Sequence, residues 1–331
     1  MDERTLELIE AGDLNGLLRA VDGLSARKSW DEMLELADRC DDAIERGKQM
    51  WPIIAHIDYR IALEAPGEYA ASVLDSELSR FLLGPLTEVA ASTHRFDELA
   101  LHVQTPQSMA YLAHERVLRG EKLTRDDRIP ADVLELPLEL MSWEPTYALA
   151  KYRADHVEVA EAWDPRAPLR LVESQPAPTH RDEEVENALL DLVTPWTTES
   201  NGAARAVVVE GDALGAASNL AFSSLRIGAL ELQEALQRMA WAAAAGGAHG
   251  RRRGAAFGRF SAWYTTAVLC GFQWPVGPEE LVAAAADLRW YRWDEGDQET
   301  GWVLRLAVED PNDGWAAAIG ATDLLEEDEK N

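Results

Sequence analysis

With 331 residues, 47% hydrophobic and 27% charged, the chain has the composition of a folded globular protein and the length for two lobes. A formal net charge of −28 repels nucleic-acid backbones and anionic membrane surfaces at long range, which argues against both as partners. Cys40 and Cys270 lie far apart and outside any C-x-x-C spacing, the acidic N-terminus has the wrong charge for a signal peptide, and no window of about 18 residues is apolar throughout, so the expectation is a reduced, cytoplasmic protein without disulfides or a thiolate zinc site.

Over residues 5–121 apolar side chains recur at intervals of three and four, as in Leu36, Ala37, Cys40 and Ile44, the spacing of one helical stripe. Gly12, Ser29 as an N-cap, Gly47, Pro66 with Gly67, Gly84 with Pro85, Thr105 with Pro106 and Gly120 divide this stretch into about seven helices. Short helices with short turns suggest stacked antiparallel pairs, a solenoid-like array; no period repeats, and an irregular bundle stays open as the alternative. Residues 122–145, with Pro130, Pro137 and Pro145, read as loop, so the predicted organisation is an all-α lobe over 1–145 followed by an α+β lobe over 146–325.

Strand patterns occur only in the second half, at 156–160, 205–209, 288–293 and 302–308. The last two predict an antiparallel hairpin across 294–301, and 315–325 fits either strand or an alanine-rich helix. The fold class expected is therefore α+β, an N-terminal helical array followed by a mixed lobe with a small antiparallel sheet. Residues 326–331 read as a solvated acidic tail.

Within this acidic chain, 235–278 contains no Asp or Glu and holds Arg238, Arg251, Arg252, Arg253 and Arg259. It reads as a helical hairpin: one helix over 229–245, a turn at Gly246 to Gly250, and a second helix led by the three consecutive arginines. Cations at a helix start oppose its dipole, so something negative should lie near them. The packing reading has Ala240, Ala244, Gly254 and Gly258 bringing the two helices together while the arginines pair with the chain's own carboxylates. The ligand reading makes His249, Gly250, Arg251, Arg252, Arg253 and Gly254 a seat for a phosphorylated or carboxylated small molecule, with His249 as proton donor.

Neither a P-loop nor a G-x-G-x-x-G is present, no histidine spacing suits a metal, and no nucleophile elbow occurs, so no cofactor, metal or catalytic residue is assigned. His56, Tyr59 and Arg60 share a helix face and read as a structural polar cluster. Eight of the 12 tryptophans fall from Trp196 onward and read as packing around the sheet. Residues 201–331 hold 11 basic and 19 acidic side chains, so the first 200 residues carry −20 of the −28. The function this favours is a non-enzymatic interaction protein offering an acidic helical surface to another, basic protein; the alternative is an enzyme or sensor for a small anionic ligand at 249–254.

Overall fold

In the computed structural model the described residues are 3–76, 82–159, 168–222, 224–296 and 301–324. The tail at 326–331 and residues 297–300 of the 294–301 turn lie outside them. The chain divides into two compact units, one of Met1–Leu134 with Ala150–Val159 and one of Glu135–Leu149 with Ala160–Asn331.

The first unit holds helices α1 (Glu3–Ala11), α2 (Leu14–Ala26), α3 (Trp30–Glu45), α4 (Trp51–Glu64), α5 (Gly67–Ser72), α6 (Leu86–Thr93), α7 (Phe96–Leu99) and α8 (Pro106–Leu118). Its breaks are chemical: the Asp13 carboxylate accepts from the Gly16 N–H at 2.9 Å to start α2, and Thr105 caps α8 ahead of Pro106. Helices α2, α4, α6 and α8 pack in that order, with α1 against α3 and α5 against α7, which is the stacked-pair arrangement. Central α4 is apolar around most of its circumference and buried accordingly. A hairpin of β1 (Ala150–Tyr152) and β2 (Val157–Val159) joins this unit, where the Tyr152 hydroxyl donates to the buried Glu88 carboxylate at 2.6 Å.

The second unit is built on a seven-stranded antiparallel sheet, larger than the small sheet the sequence suggests. Its strands are β3 (Arg170–Val172), β4 (Thr179–His180), β5 (Ala203–Glu210), β6 (Leu225–Leu230), β7 (Arg289–Asp294), β8 (Trp302–Asp310) and β9 (Trp315–Asp323), in the order β3-β6-β7-β8-β9-β5-β4. Residues 315–323 are thus strand. One face carries Trp290, Leu304, Leu306, Val308, Ala317 and Ile319, all buried, beneath α9 (Glu183–Asp191) and α12 (Leu232–Ala244). Outside these packs α13 (Ala255–Leu269), followed by α14 (Pro278–Ala285), while α10 (Thr194–Thr198) meets β5 and β9. Among the described residues the other face has one helix, the eight-residue α11 (Ala213–Leu220), which covers Val209, Trp293, Ala307, Ala316 and Ala318. Ile227 and Tyr291 on the same face remain half-buried.

The helix expected over 229–245 starts later, because Leu225–Leu230 pairs with β7 as a strand, Leu230 opposite Trp290. Glu231 then opens α12 with a reciprocal capping box to Glu234.

Candidate functional site

The segment singled out by its missing acids is the hairpin of α12 and α13, which pack tightly: a Cβ at Gly258 would lie 2.2 Å from the Ala240 carbonyl oxygen. The connection closes on itself, with the Arg253 N–H donating to the Ala244 carbonyl at 2.8 Å. Gly247 has φ +74°, and a Cβ there would lie 2.1 Å from Asp323 Oδ2. Gly254, with φ +94°, is the N-cap of α13, so Arg251, Arg252 and Arg253 precede the helix instead of occupying its first turn. The dipole conflict inferred for them is relieved by that placement.

The negative groups expected beside the turn are present and belong to the chain. Asp323, at the end of β9, accepts the Ala248 N–H at 2.6 Å through Oδ2. Glu199 accepts the Arg251 N–H at 3.0 Å, and the Ser200 hydroxyl takes the His249 N–H at 3.0 Å. These backbone donors are engaged, and the side chains are what the turn offers to a ligand: His249 and Arg251 are exposed, Arg252 and Arg253 half-buried. The Arg253 guanidinium lies 5.1 Å above the Phe257 ring, beside a groove of about 320 Å³ along Phe257, Phe260 and Tyr264. The turn thus brings His249, Gly250, Arg251, Arg252, Arg253 and Gly254 onto one connection, with Arg253 directed to the aromatic row.

Arg259 has a structural role. Fully buried in α13, it grips Glu144 with two bonds of 2.7 Å and donates to the carbonyls of Pro137 and Glu139 at 2.9 and 3.0 Å. Glu144 also accepts from Tyr147, Trp263 and the Met141 N–H. Burial pushes the Glu144 carboxyl upward, but the bonds and charge of Arg259 outweigh it and hold the group below its ordinary range. The pair fastens residues 137–147 to the helix layer.

In the first unit the residues with an unexplained electrostatic cost are on α3. Its inward stripe, Trp30, Met33, Leu36, Cys40 and Ala43, is buried, and its outward face carries exposed Asp31, Glu32, Asp38, Asp41, Asp42 and Glu45. Asp38, Asp41, Asp42 and Glu45 are three or four residues apart and end a helix whose last turn has no cation, where the dipole is already negative. Arg39 reaches only to 3.9 Å from Asp42, and both side chains are more than half exposed. Arg46, the C-cap residue, donates Nη1 to the Asp42 carbonyl at 3.0 Å while its Nη2 and the Lys48 ammonium turn to Glu10, at 3.1 and 2.9 Å, so neither of these cations meets an α3 carboxylate. Both the three-and-four spacing of these acids and their place on the face opposite the stripe of Leu36, Ala37, Cys40 and Ile44 were readable in the sequence.

The α4 cluster is structural: Arg60 bonds Glu64 at 3.0 Å and also Asp22, and His56 lies 3.9 Å from Asp22. Cys270 is half-buried.

A family model matches residues 15–324, from α2 through the end of β9 and so across both units. The chain belongs to the family of unknown function DUF6183. No curated protein and no solved structure matches it. In this DUF6183 chain the match covers α3, the arginine turn and the sheet. Among the described residues no helix is long and apolar enough to cross a membrane.

Proposed function

We propose that this is a non-enzymatic interaction protein that presents the outer face of α3 to a basic partner protein in the cytoplasm. The supporting observation is the set Asp38, Asp41, Asp42 and Glu45, exposed toward the negative end of a helix where Arg46 bonds the Asp42 carbonyl and, among the described residues, only Arg39, at 3.9 Å from Asp42, approaches one of these carboxylates. Each like-charge neighbour at three or four residues costs a few tenths of a kcal/mol, and each carboxylate opposing the dipole a similar amount. A surface kept at the expense of its own helix is explained by a partner that supplies the missing cations. Electrostatic attraction of this kind speeds encounter and weakens with salt.

The test replaces Asp38, Asp41 and Asp42 by Asn and Glu45 by Gln. The variant should gain about 1 kcal/mol of stability. Affinity capture from extract, run beside wild type at low and high salt, should then lose partners that wild type retains at low salt. Equal capture by both proteins, or no salt dependence, refutes the reading.

A second reading, a small phosphorylated or carboxylated ligand at His249, Arg251, Arg252 and Arg253, is favoured by the exposure of Arg251 and by Arg253 lying over Phe257. Titration with inorganic phosphate tests it: Arg251→Ala with Arg253→Ala should abolish any phosphate-dependent rise in melting temperature.

A further inference from the structure

Along one face of α13 runs a row of half-buried rings, Phe257, Phe260 and Tyr264, three and four residues apart. Ring contacts hold the row in place. Phe260 lies 6.2 Å from Phe257 and stacks with Tyr264 at 6.0 Å, while Trp274 meets Phe260 edge-on at 5.6 Å and Tyr264 at 6.4 Å. The groove of about 320 Å³ beside these rings is also lined by Asp191 and Thr194, at the end of α9 and the start of α10, and by Ser261 and Thr265 of α13. The Thr265 hydroxyl donates to the Ala188 carbonyl of α9 at 3.1 Å, which ties the two helices together under the groove. Its volume is at the lower end of the range for small-molecule sites.

Two polar groups in the groove have no counterpart in the chain. Ser261 is only 8% exposed, and its hydroxyl has no hydrogen-bond partner among the described residues, yet it is not sealed from the groove it lines. A helical hydroxyl ordinarily closes on the carbonyl one turn back, as Thr266 does on Ala262 at 2.7 Å, so the open Ser261 hydroxyl is left for something that enters the groove. The second group is the half-buried guanidinium of Arg253, which lies over the Phe257 ring and has no carboxylate partner among the described residues. Phe257 and Ser261 are one turn apart, about 6 Å along the helix, so the cation and the hydroxyl bracket the aromatic row at the spacing of a small molecule. Asp191 is exposed and accepts the Thr194 hydroxyl at 3.4 Å. Its charge limits what Arg253 can hold: one guanidinium near one carboxylate suits a single negative charge and disfavours a phosphate dianion.

We infer that this groove binds a small planar aromatic carboxylic acid, its ring against the Phe260 and Tyr264 row, its carboxylate on Arg253 and a polar ring atom or substituent on the Ser261 hydroxyl. Arg253, desolvated on one side by Phe257, gains more from a counter-ion than the exposed, hydrated Asp191 gains from a cation. An uncharged aromatic molecule would leave Arg253 unused, and an aliphatic acid would forgo the rings. The inference deepens the small-anion reading of the arginine turn, with which it shares Arg253, and is independent of the one for α3, which belongs to the other unit.

Thermal shift of the full chain with indole-3-acetate and 4-hydroxyphenylacetate tests it, beside indole-3-acetamide, which lacks the charge, and cyclohexylacetate, which lacks the aromatic face. The two aromatic acids should raise the melting temperature in a concentration-dependent way, and the two analogues should not. Because the Ser261 hydroxyl has no protein partner, Ser261→Ala should melt like wild type without ligand and bind the aromatic acids about fivefold more weakly by calorimetric titration. Arg253→Met keeps the backbone bond to Ala244 and should remove the response. No response to either aromatic acid overturns the inference. So does an equal response to either analogue, or a wild-type response retained in both variants. Inorganic phosphate separates it from the reading of the turn: a phosphate response without an aromatic-acid response overturns the groove and leaves the turn standing, and the reverse result supports the groove while removing the phosphate seat.

Discussion

Asp58→Asn should stabilise the first unit at neutral pH and do nothing in acid. Asp58 projects from α4, is 6% exposed, and accepts one bond, from the Ser76 hydroxyl at 2.6 Å. Burial raises its pKa from 3.8 to about 6, the Ser76 bond offsetting only part of the shift. Well below pH 3.8 the carboxyl is protonated in the folded and unfolded chain alike and contributes no difference. As pH rises from 4 toward 6 the unfolded chain loses this proton first, so stability falls. Above pH 6 the folded group is ionised too and the loss levels off, at about 3 kcal/mol for a shift of this size. Asparagine has nearly the same shape, can still accept from Ser76, and carries no charge to bury. Urea unfolding followed by far-ultraviolet circular dichroism should give the variant a gain of about 3 kcal/mol at pH 7.5 and less than about 0.5 kcal/mol at pH 3. An equal gain at both pH values, or a loss at pH 7.5, would show that the buried charge is not the source of the cost.

Arg259→Met should cost about 3 to 5 kcal/mol, because it leaves Glu144 ionised and buried without its counter-ion, and Arg259→Met with Glu144→Leu should recover most of that in the same unfolding assay. Gly247→Ala should lower stability by more than about 1 kcal/mol through both its positive φ and the clash with Asp323, whereas Gly12→Ala, also at positive φ but in open space, should cost less. Burial pushes the Cys40 thiol up to about 11, and burial with the charges of Asp310 and Asp287 pushes Cys270 up to about 12. Neither should react with iodoacetamide in the native protein at pH 8, and both should react once it is unfolded in urea.

The helical array and the long strands were legible because their signals are local. The stripe of α3 repeats at three and four, β8 has alternating large side chains, and Pro106 marks the start of α8. Four strands were not legible, the three-residue β1 among them. β3 and β4 are short edge strands of three and two residues beside Pro168 and Pro178, where propensity says turn and only pairing with β6 and β5 makes strand. β6 ends in Ala229 and Leu230, which continue the apolar spacing of α12, so periodicity ran the two elements together; the Glu231 and Glu234 capping box was the available stop signal. The pairing of Arg289 and Tyr291 with Glu309 on the sheet was hidden for another reason. All three alternate correctly along their strands, but nothing in one sequence says which of the chain's 59 acidic residues stands opposite which arginine. Strand register carries that information, and register is a tertiary fact.

The same distinction explains the acid-free stretch at 235–278. Its lack of carboxylates left two readings, arginines paired with the chain's own carboxylates or arginines facing an external anion. The structure shows why a local charge count misleads: the counter-groups are remote in sequence and near in space. Glu144 comes from 115 residues upstream of Arg259, and Asp323 from 75 residues downstream of Ala248. Glu199 comes from 52 residues upstream of Arg251. With no acid of its own, the hairpin cannot satisfy these groups by local pairing as it forms, so its polar contacts reward only docking onto the sheet end and onto residues 137–147. Such contacts are costly when half made and strong when complete, which favours one docking over its near alternatives. Sign reversal in an acidic chain can therefore report assembly of the fold as well as recognition of a ligand. The feature that separates the two is whether a guanidinium ends on the chain's own carboxylate, as Arg259 does, or at the surface, as Arg251 does.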